Sequence, residues 1–278
     1  MDRFDALQAF ARVVESGSFT KAAHTLHMSR TTRSVQLTAD GAAYYPRVVR
    51  LLADLEDADA SLSSAVTAPR GRLRVDVPSR IGRRLVAPAL PGLLARQPAL
   101  AIELGSTDRA VDLVAEGIDC ALRVGALGDS SLVAHPLGRF LLINCASPAY
   151  VERWGMPQSP KDLTQHQMVQ YLSPSTGQAV PWEWQEEDSR RTLRPAGRVG
   201  VNNAETYIAC ALSGLGLIQI PRFDVQEHLD DGSLVELLPA HRPAPMPVQV
   251  VYPHRRHLSR RVQVFIAWMA ELLRPHLG

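Results

Sequence analysis

Phe10-Ala11-Arg12-Val13-Val14-Glu15-Ser16-Gly17-Ser18-Phe19-Thr20-Lys21-Ala22-Ala23 carries the end of one helix, a stop, a cap and the start of a second helix. Upstream, Phe4, Leu7, Phe10 or Ala11, and Val14 recur at helical spacing, which predicts a helix from Asp2 to Ser16. Gly17 is the stop, because glycine accepts the left-handed conformation that closes a helix. Ser18 is an N-cap for a second helix from Phe19 to about His27. That helix turns Ala22, Ala23 and Leu26 toward the first. Small residues let two helix backbones approach closely, as a helix-turn-helix crossing requires. Met28-Ser29 reads as the next turn, with Ser29 placed to cap a third helix.

The third helix does not follow. Arg30-Thr31-Thr32-Arg33-Ser34-Val35-Gln36-Leu37 is short, polar and β-branched, the pattern of a wing strand. Thr38 then caps a long helix from Ala39 to about Ala65. Its residues Tyr44, Val48, Leu51, Leu55, Ala58 and Leu62 step by four and three, an a/d seam that pairs with another helix. A second chain is the expected partner, and packing on its own chain is the alternative. Pro46 kinks this helix or delays its start.

Pro69-Arg70-Gly71 breaks the helix and opens a region where strands and helices alternate. Strands are expected at 73–77, 100–104 and 118–124, and helices at 82–96 and 110–116, the latter closed by Gly117. This alternation predicts a parallel sheet with covering helices. Further strands are expected at 132–137, 141–146, 168–171, 182–184, 198–201, 217–220, 234–237 and 248–252. Helices are expected at 204–213, near 223–229, and after Ser259, where Val262, Phe265, Ile266, Met269 and Leu273 form an apolar face.

The composition, 46% hydrophobic and 21% charged, is that of an ordinary globular chain. No apolar run approaches the ~18–20 residues that span a bilayer, and the charged Met1-Asp2-Arg3-Phe4-Asp5 start lacks a signal-peptide layout. A cytoplasmic protein is expected. Cys120, Cys145 and Cys210 lie far apart in apolar surroundings and read as core residues. Net charge is only +2, so there is no global polycation signal for nucleic acid. No cofactor or metal site is expected. His24 with His27, and His254 with His257, lack acidic or thiol partners nearby. There is no Gly-x-Ser-x-Gly elbow, His-Glu-x-x-His or P-loop, so an enzyme is not expected. Trp182 and Trp184 flank Glu183 and read as a strand with one buried face.

The run Phe10, Val13, Glu15, Gly17-Ser18-Phe19-Thr20, Ala22-Ala23, Leu26 and Met28-Ser29 resembles the first two helices of the LysR-type transcriptional regulators. Thr32-Arg33, Leu37-Thr38, Gly41 and Tyr44 resemble that family's wing and linker-helix start. Leu73-Arg74-Val75, Leu85, Ala87-Pro88, Leu90-Pro91, Asp119 to Gly125, Gly214-Leu215-Gly216 and Pro221 resemble its effector domain. The resemblance implies a multi-domain chain. Residues 1–38 would be an incomplete all-α winged helix-turn-helix and 39–68 a linker and dimerisation helix. Residues 72–278 would be an α/β two-lobed, periplasmic-binding-protein-like effector domain. Lobe one would span about 72–144 and 247–278, and lobe two about 145–246. A homodimer or tetramer, promoter or operator DNA, and a small-molecule effector between the lobes are implied as partners. One departure stands out: between Ser29 and Thr31 the family carries its recognition helix, the element that reads base edges in the major groove. About 10–14 residues plus connections are missing. Either the segment is absent from the recorded sequence, which the intact flanking motifs favour, or it is deleted and specific DNA binding fails. Residues 1–53 hold seven Arg/Lys against four Asp/Glu, a net +3, modest for a DNA-binding domain.

Candidate DNA contacts are Ser18, Thr20 and Lys21 at a helix start, where N–H groups and a cation meet phosphate, and Arg30, Thr31, Thr32 and Arg33 in the wing. Solvated surface charge is the plainer reading of the same residues. Ligands of open α/β sheets bind beyond the carboxyl ends of strands, near helix N-termini. That rule picks Ser79 and Arg80, Ser106 and Thr107 (with Asp108 beside them), Arg123-Val124-Gly125, and Asn202-Asn203. Their hydroxyls, amides and N–H groups suit a carboxylate, and Arg80 or Arg123 could clamp it bidentately, so an organic or aromatic acid is the expected effector. Ser79, Thr107 and Asn203 as ordinary helix caps is the competing account. A solute-binding protein or a sensing-only regulator is the alternative to a DNA-binding regulator.

Overall fold

The computed structural model describes residues 3–16, 38–42, 44–45, 47–49, 51–52, 69–109, 111–127, 132–173, 176–187, 189–194, 196–253 and 258–278. The expected second helix and wing, the DNA-contact candidates Ser18 to Arg33, and the seam positions Leu55, Ala58 and Leu62 lie outside these residues.

Helix α1 spans Arg3–Ser16. The linker helix starts at its expected cap, where Thr38 Oγ1 accepts from Gly41 N at 3.1 Å and Thr38 O accepts from Ala42 N at 2.9 Å. Phe10 of α1 packs on Tyr44 and Tyr45, with ring centroids 5.8 and 6.3 Å away. Val48 is fully buried, whereas Tyr44 and Leu51 of the same seam are exposed.

The first large sheet has strand order β2-β1-β3-β12-β4. Its members are β1 (Gly71–Val77), β2 (Leu100–Ser106), β3 (Cys120–Val124), β4 (Leu132–Phe140) and β12 (Met246–Pro253). β1 pairs in parallel with β2 and β3, as the βαβ alternation demands. β12 returns from the far end of the chain and pairs antiparallel with β3 and β4, so the sheet is mixed rather than all-parallel. One face packs Leu73, Val75, Val77, Leu122, Val248 and Val250 against Phe265, Met269 and Leu273 of the C-terminal helix and Leu93 of the helix after β1. The other face buries Ala121 and Val251 under Leu113. β1 alternates, with Leu73, Val75 and Val77 on the face under the C-terminal helix and Arg74 and Asp76 on the other.

The helical run after β1 is continuous but irregular: α2 (Ser79–Ile81), a π-helical stretch Gly82–Val86, and α3 (Ala87–Arg96). Pro88 and Pro91 explain the irregularity. A proline has no N–H for the carbonyl four residues back, and its ring crowds that carbonyl. The chain widens instead to an i→i+5 bond, from Ala87 N to Gly82 O. The helix expected at 110–116 forms only over Leu113–Glu116 (α4), because Asp112 caps it: its carboxylate accepts from Val114 N and Ala115 N, both at 3.0 Å. Gly117 closes it at φ 73°.

The second sheet has order β10-β5-β11, all antiparallel: β5 (Leu142–Ala146), β10 (Ile218–Pro221) and β11 (Val235–Leu237). β5 hydrogen-bonds in this sheet, so the chain leaves the first sheet at Leu141, earlier than the expected boundary near 144. Around it lie α5 (Pro148–Trp154), a 3-10 turn at Pro160–Gln165, α6 (Ala204–Leu212) and α7 (Arg222–Asp230). β6 (Gln170–Tyr171) pairs in parallel with β9 (Gly200–Val201), and β7 (Trp182–Glu186) forms a hairpin with β8 (Ser189–Leu193). Sequence reading missed α5, the 3-10 turn and β8. β8 is Ser-Arg-Arg-Thr-Leu, four exposed residues and one half-buried, and has no apolar alternation to find. The C-terminal helix α8 spans Arg260–Leu273, and Ser259 Oγ accepts from Val262 N as its cap.

Candidate functional site

The carboxyl edge of the first sheet faces the first turns of α6 and α7 in the second lobe, and Arg80 crosses between them. Its side chain is 5% exposed. Nε donates to Asp224 Oδ1 at 2.9 Å, Nη2 donates to Asp224 O, and Nη1 donates to Glu205 Oε2 at 2.6 Å. Two more arginines follow on the π-helical stretch. Arg83 donates from Nε (2.9 Å) and Nη2 (2.6 Å) to Glu205 Oε1, and Arg84 donates to both oxygens of Glu227. Three arginines of one lobe thus meet three carboxylates of the other.

The electrostatics differ among these acids. Burial pushes the Asp224 carboxyl up to about 6, and Arg80 and Arg84 offset this only in part. Burial also raises Glu205, but the Arg83 and Arg80 guanidiniums more than offset it, holding the group below the ordinary glutamate range. Tyr171 lies beside this cluster. Burial, then the nearby charges of Asp108 and Asp224, raises its phenol to about 12, so it stays protonated and can donate.

The other candidates lie at strand ends and helix starts. Ser79 N donates to Asp108 Oδ1 at 3.0 Å, so the helix start is satisfied from the neighbouring loop. Ser106 lies against Gly82, where an added Cβ would stand 2.2 Å from Ser106 Oγ. Thr107 N bonds Val77 O at 3.1 Å, and Thr107 Oγ1 accepts from Arg109 N at 3.2 Å. Asn203 caps α6, accepting from Thr206 N at 2.9 Å, and places Glu205 in the first turn; Asn203 Nδ2 reaches Asn202 Oδ1 at 3.4 Å. Arg123 is held apart from Arg80: Nη1 bonds Asp76 Oδ2 at 2.9 Å and Leu122 O at 3.0 Å. Arg123 Nη2 is buried and has no hydrogen-bond partner among the described residues. Val124 pairs with Val248, and Gly125 turns at φ 99° with its N bonded to Pro247 O.

Reading the sequence missed Glu205, Asp224 and Glu227. The strand-end rule could have found Asp224, since it lies three residues beyond the end of β10. Glu205 and Glu227 are ordinary surface glutamates until the two lobes are brought together.

Among the described residues no group of three His, Cys, Asp or Glu could hold a metal, and no helix is long and apolar enough to cross a membrane. Cys120 and Cys145 are buried, Cys210 is half-buried, and none forms a disulfide.

Two family models match the chain. "LysR substrate binding domain" covers residues 67–274, and "Bacterial regulatory helix-turn-helix protein, lysR family" covers residues 4–39. The chain is 38% identical over 298 positions to an uncharacterized HTH-type transcriptional regulator, YhjC, of Escherichia coli K12, with all of both chains covered. The solved LysR-type regulator CrgA of Neisseria meningitidis is 28% identical with a TM-score of 0.64, over 98% of each chain. The full-length virulence activator AphB of Vibrio cholerae is 26% identical with a TM-score of 0.62, over the whole of both chains. A helix-turn-helix match followed by a two-lobed α/β domain, in one chain and in this order, places the protein in the LysR family of bacterial transcription regulators.

Proposed function

We propose that this regulator binds promoter or operator DNA in the cytoplasm as a homo-oligomer, and that a small organic or aromatic acid in the Arg80 cleft controls that binding. The carrying observation is the Arg80 bridge, which joins the strand ends of one lobe to the helix starts of the other. A ligand inserted there changes how the lobes are tied. The buried, unpaired Arg123 Nη2 supports an acidic ligand, since a second guanidinium with a free donor stands at the same sheet edge. Ser79, Ser106, Thr107, Val124, Gly125, Asn202 and Asn203 would supply hydroxyl, amide and main-chain contacts. Dimers would form along Tyr44, Val48, Leu51, Leu55, Ala58 and Leu62; the exposure of Tyr44 and Leu51 supports this. Ser18, Thr20, Lys21 and the Arg30 to Arg33 run would meet phosphate and groove. The protein acts by binding and not by catalysis.

The test is a panel of carboxylic acids screened by thermal shift, with each hit carried into a gel-shift titration on the chain's own promoter. An acid that raises the melting temperature and changes DNA affinity, with both effects lost in Arg123→Ala, is the expected result. Acids that stabilise neither wild type nor complex would refute the effector class.

A further inference from the structure

Two guanidiniums converge on one carboxylate where the two lobes meet. Glu205 Oε1 accepts from Arg83 Nε and Nη2, and Oε2 accepts from Arg80 Nη1. Arg83 closes its fork on one oxygen and Arg80 takes the other, so the two guanidiniums together hold the carboxylate by charge-assisted hydrogen bonds. Glu205 stands in the first turn of the nine-residue α6, so the helix N-terminus adds its own preference for negative charge. Its side chain is 39% exposed and that of Arg83 is 66% exposed, so solvent reaches the pair. Asp224 plays a different part. It is buried and grips Arg80 through both carboxylate and main chain, which fixes the guanidinium from behind. Without Glu205, Arg80 stays held by Asp224, while its Nη1 and the Arg83 fork lose their acceptor.

We propose that Arg80 and Arg83 form a binding site for a free carboxylate, that Glu205 occupies it as a built-in stand-in, and that an acidic effector acts by displacing Glu205. This rests on the cleft being the effector site. The exchange is charge-balanced: one carboxylate leaves the guanidiniums for solvent as another arrives. It also carries a signal. Glu205 belongs to the second lobe and both arginines to the first, so displacement removes one tie between lobes and leaves the Arg80–Asp224 and Arg84–Glu227 ties in place. A tethered carboxylate competes at an effective concentration of about millimolar or above, so a bare acid cannot displace it. Only an acid with added contacts, such as those available from Tyr171 and the strand ends, succeeds; this is the basis of selectivity.

The experiment is thermal denaturation of wild type, Glu205→Ala and Glu205→Gln in sodium acetate, against sodium chloride at equal ionic strength and pH. Glu205→Ala should melt lower than wild type in chloride by roughly 2–4 °C, and acetate should restore most of that loss. Wild type, whose site is already filled, should respond to acetate no more than to chloride, and Glu205→Gln, whose amide accepts at one oxygen but turns a donor NH2 to the other guanidinium, should respond less than Glu205→Ala. Loss of the response in Glu205→Ala/Arg83→Ala places it at this pair. Calorimetric titration of Glu205→Ser with sodium benzoate gives the same comparison if the alanine variant does not fold. Equal effects of acetate and chloride on Glu205→Ala, or an acetate effect as large in wild type, overturn the proposal. If an acid regulates the wild type and its effect survives intact in Arg83→Ala and Glu205→Ala, the effector cleft stands and the displacement of Glu205 is wrong. If acetate refills Glu205→Ala while no acid changes DNA binding, the carboxylate site stands and the effector reading falls.

Discussion

Replacing Arg80 with alanine should destabilise the protein by an amount that depends on pH. At neutral pH the substitution strips a buried carboxylate of its counter-ion, and breaking such a pair costs about 3–5 kcal/mol. For a unit of about 200 residues this is a fall in melting temperature of roughly 6–20 °C. The pH dependence follows from Asp224. Its carboxyl titrates at about 6 in the folded chain against an ordinary 3.8, so the folded state holds the proton more tightly. Stability from that proton is fully present below pH 4 and is lost as pH rises through about 6. Above pH 6 the group is ionised and depends on Arg80. At pH 5 it is mostly neutral, and removing Arg80 costs only its hydrogen bonds and its part in the Glu205 pair, about 1–2 kcal/mol. The gap between wild type and Arg80→Ala should therefore widen from pH 5 to pH 7.5. Differential scanning calorimetry of both proteins at the two pH values measures it. A gap that is constant with pH, or wider at pH 5, refutes the assignment of Asp224 as the acid that needs Arg80.

Gly197→Ala should cost roughly 3 kcal/mol or more, because its Cβ would stand 1.8 Å from the Met168 carbonyl oxygen, main chain that cannot rotate away; urea denaturation measures it, and a cost under 1 kcal/mol contradicts the packing. Asp112→Ala should cost about 1 kcal/mol and speed hydrogen exchange at Val114 and Ala115, whose N–H groups it accepts; unchanged exchange would show that water replaces the cap at no cost. Cys210 should react with a thiol reagent well before Cys120 and Cys145, since burial raises both of the latter thiols, Cys145 to about 12; equal rates in the native protein argue against the buried placement.

The sequence by itself determined the order and kind of most elements. α8 was legible because Val262, Phe265, Ile266, Met269 and Leu273 repeat at helical spacing behind a serine cap, and the end of α4 because Gly117 alone tolerates its φ. These signals are local: period, cap and stop lie within one or two turns of the chain. The strand-end rule found Arg80 for the same reason, since it needs only the position after β1. Tertiary structure decided the rest. That β12 joins β3 and β4 antiparallel depends on pairing across more than 100 residues of chain, which no local pattern records. What Arg80 touches was decided last. Glu205 is 125 residues away and Asp224 is 144 away, and only the meeting of two lobes turns two unremarkable acids into the partners of one buried guanidinium.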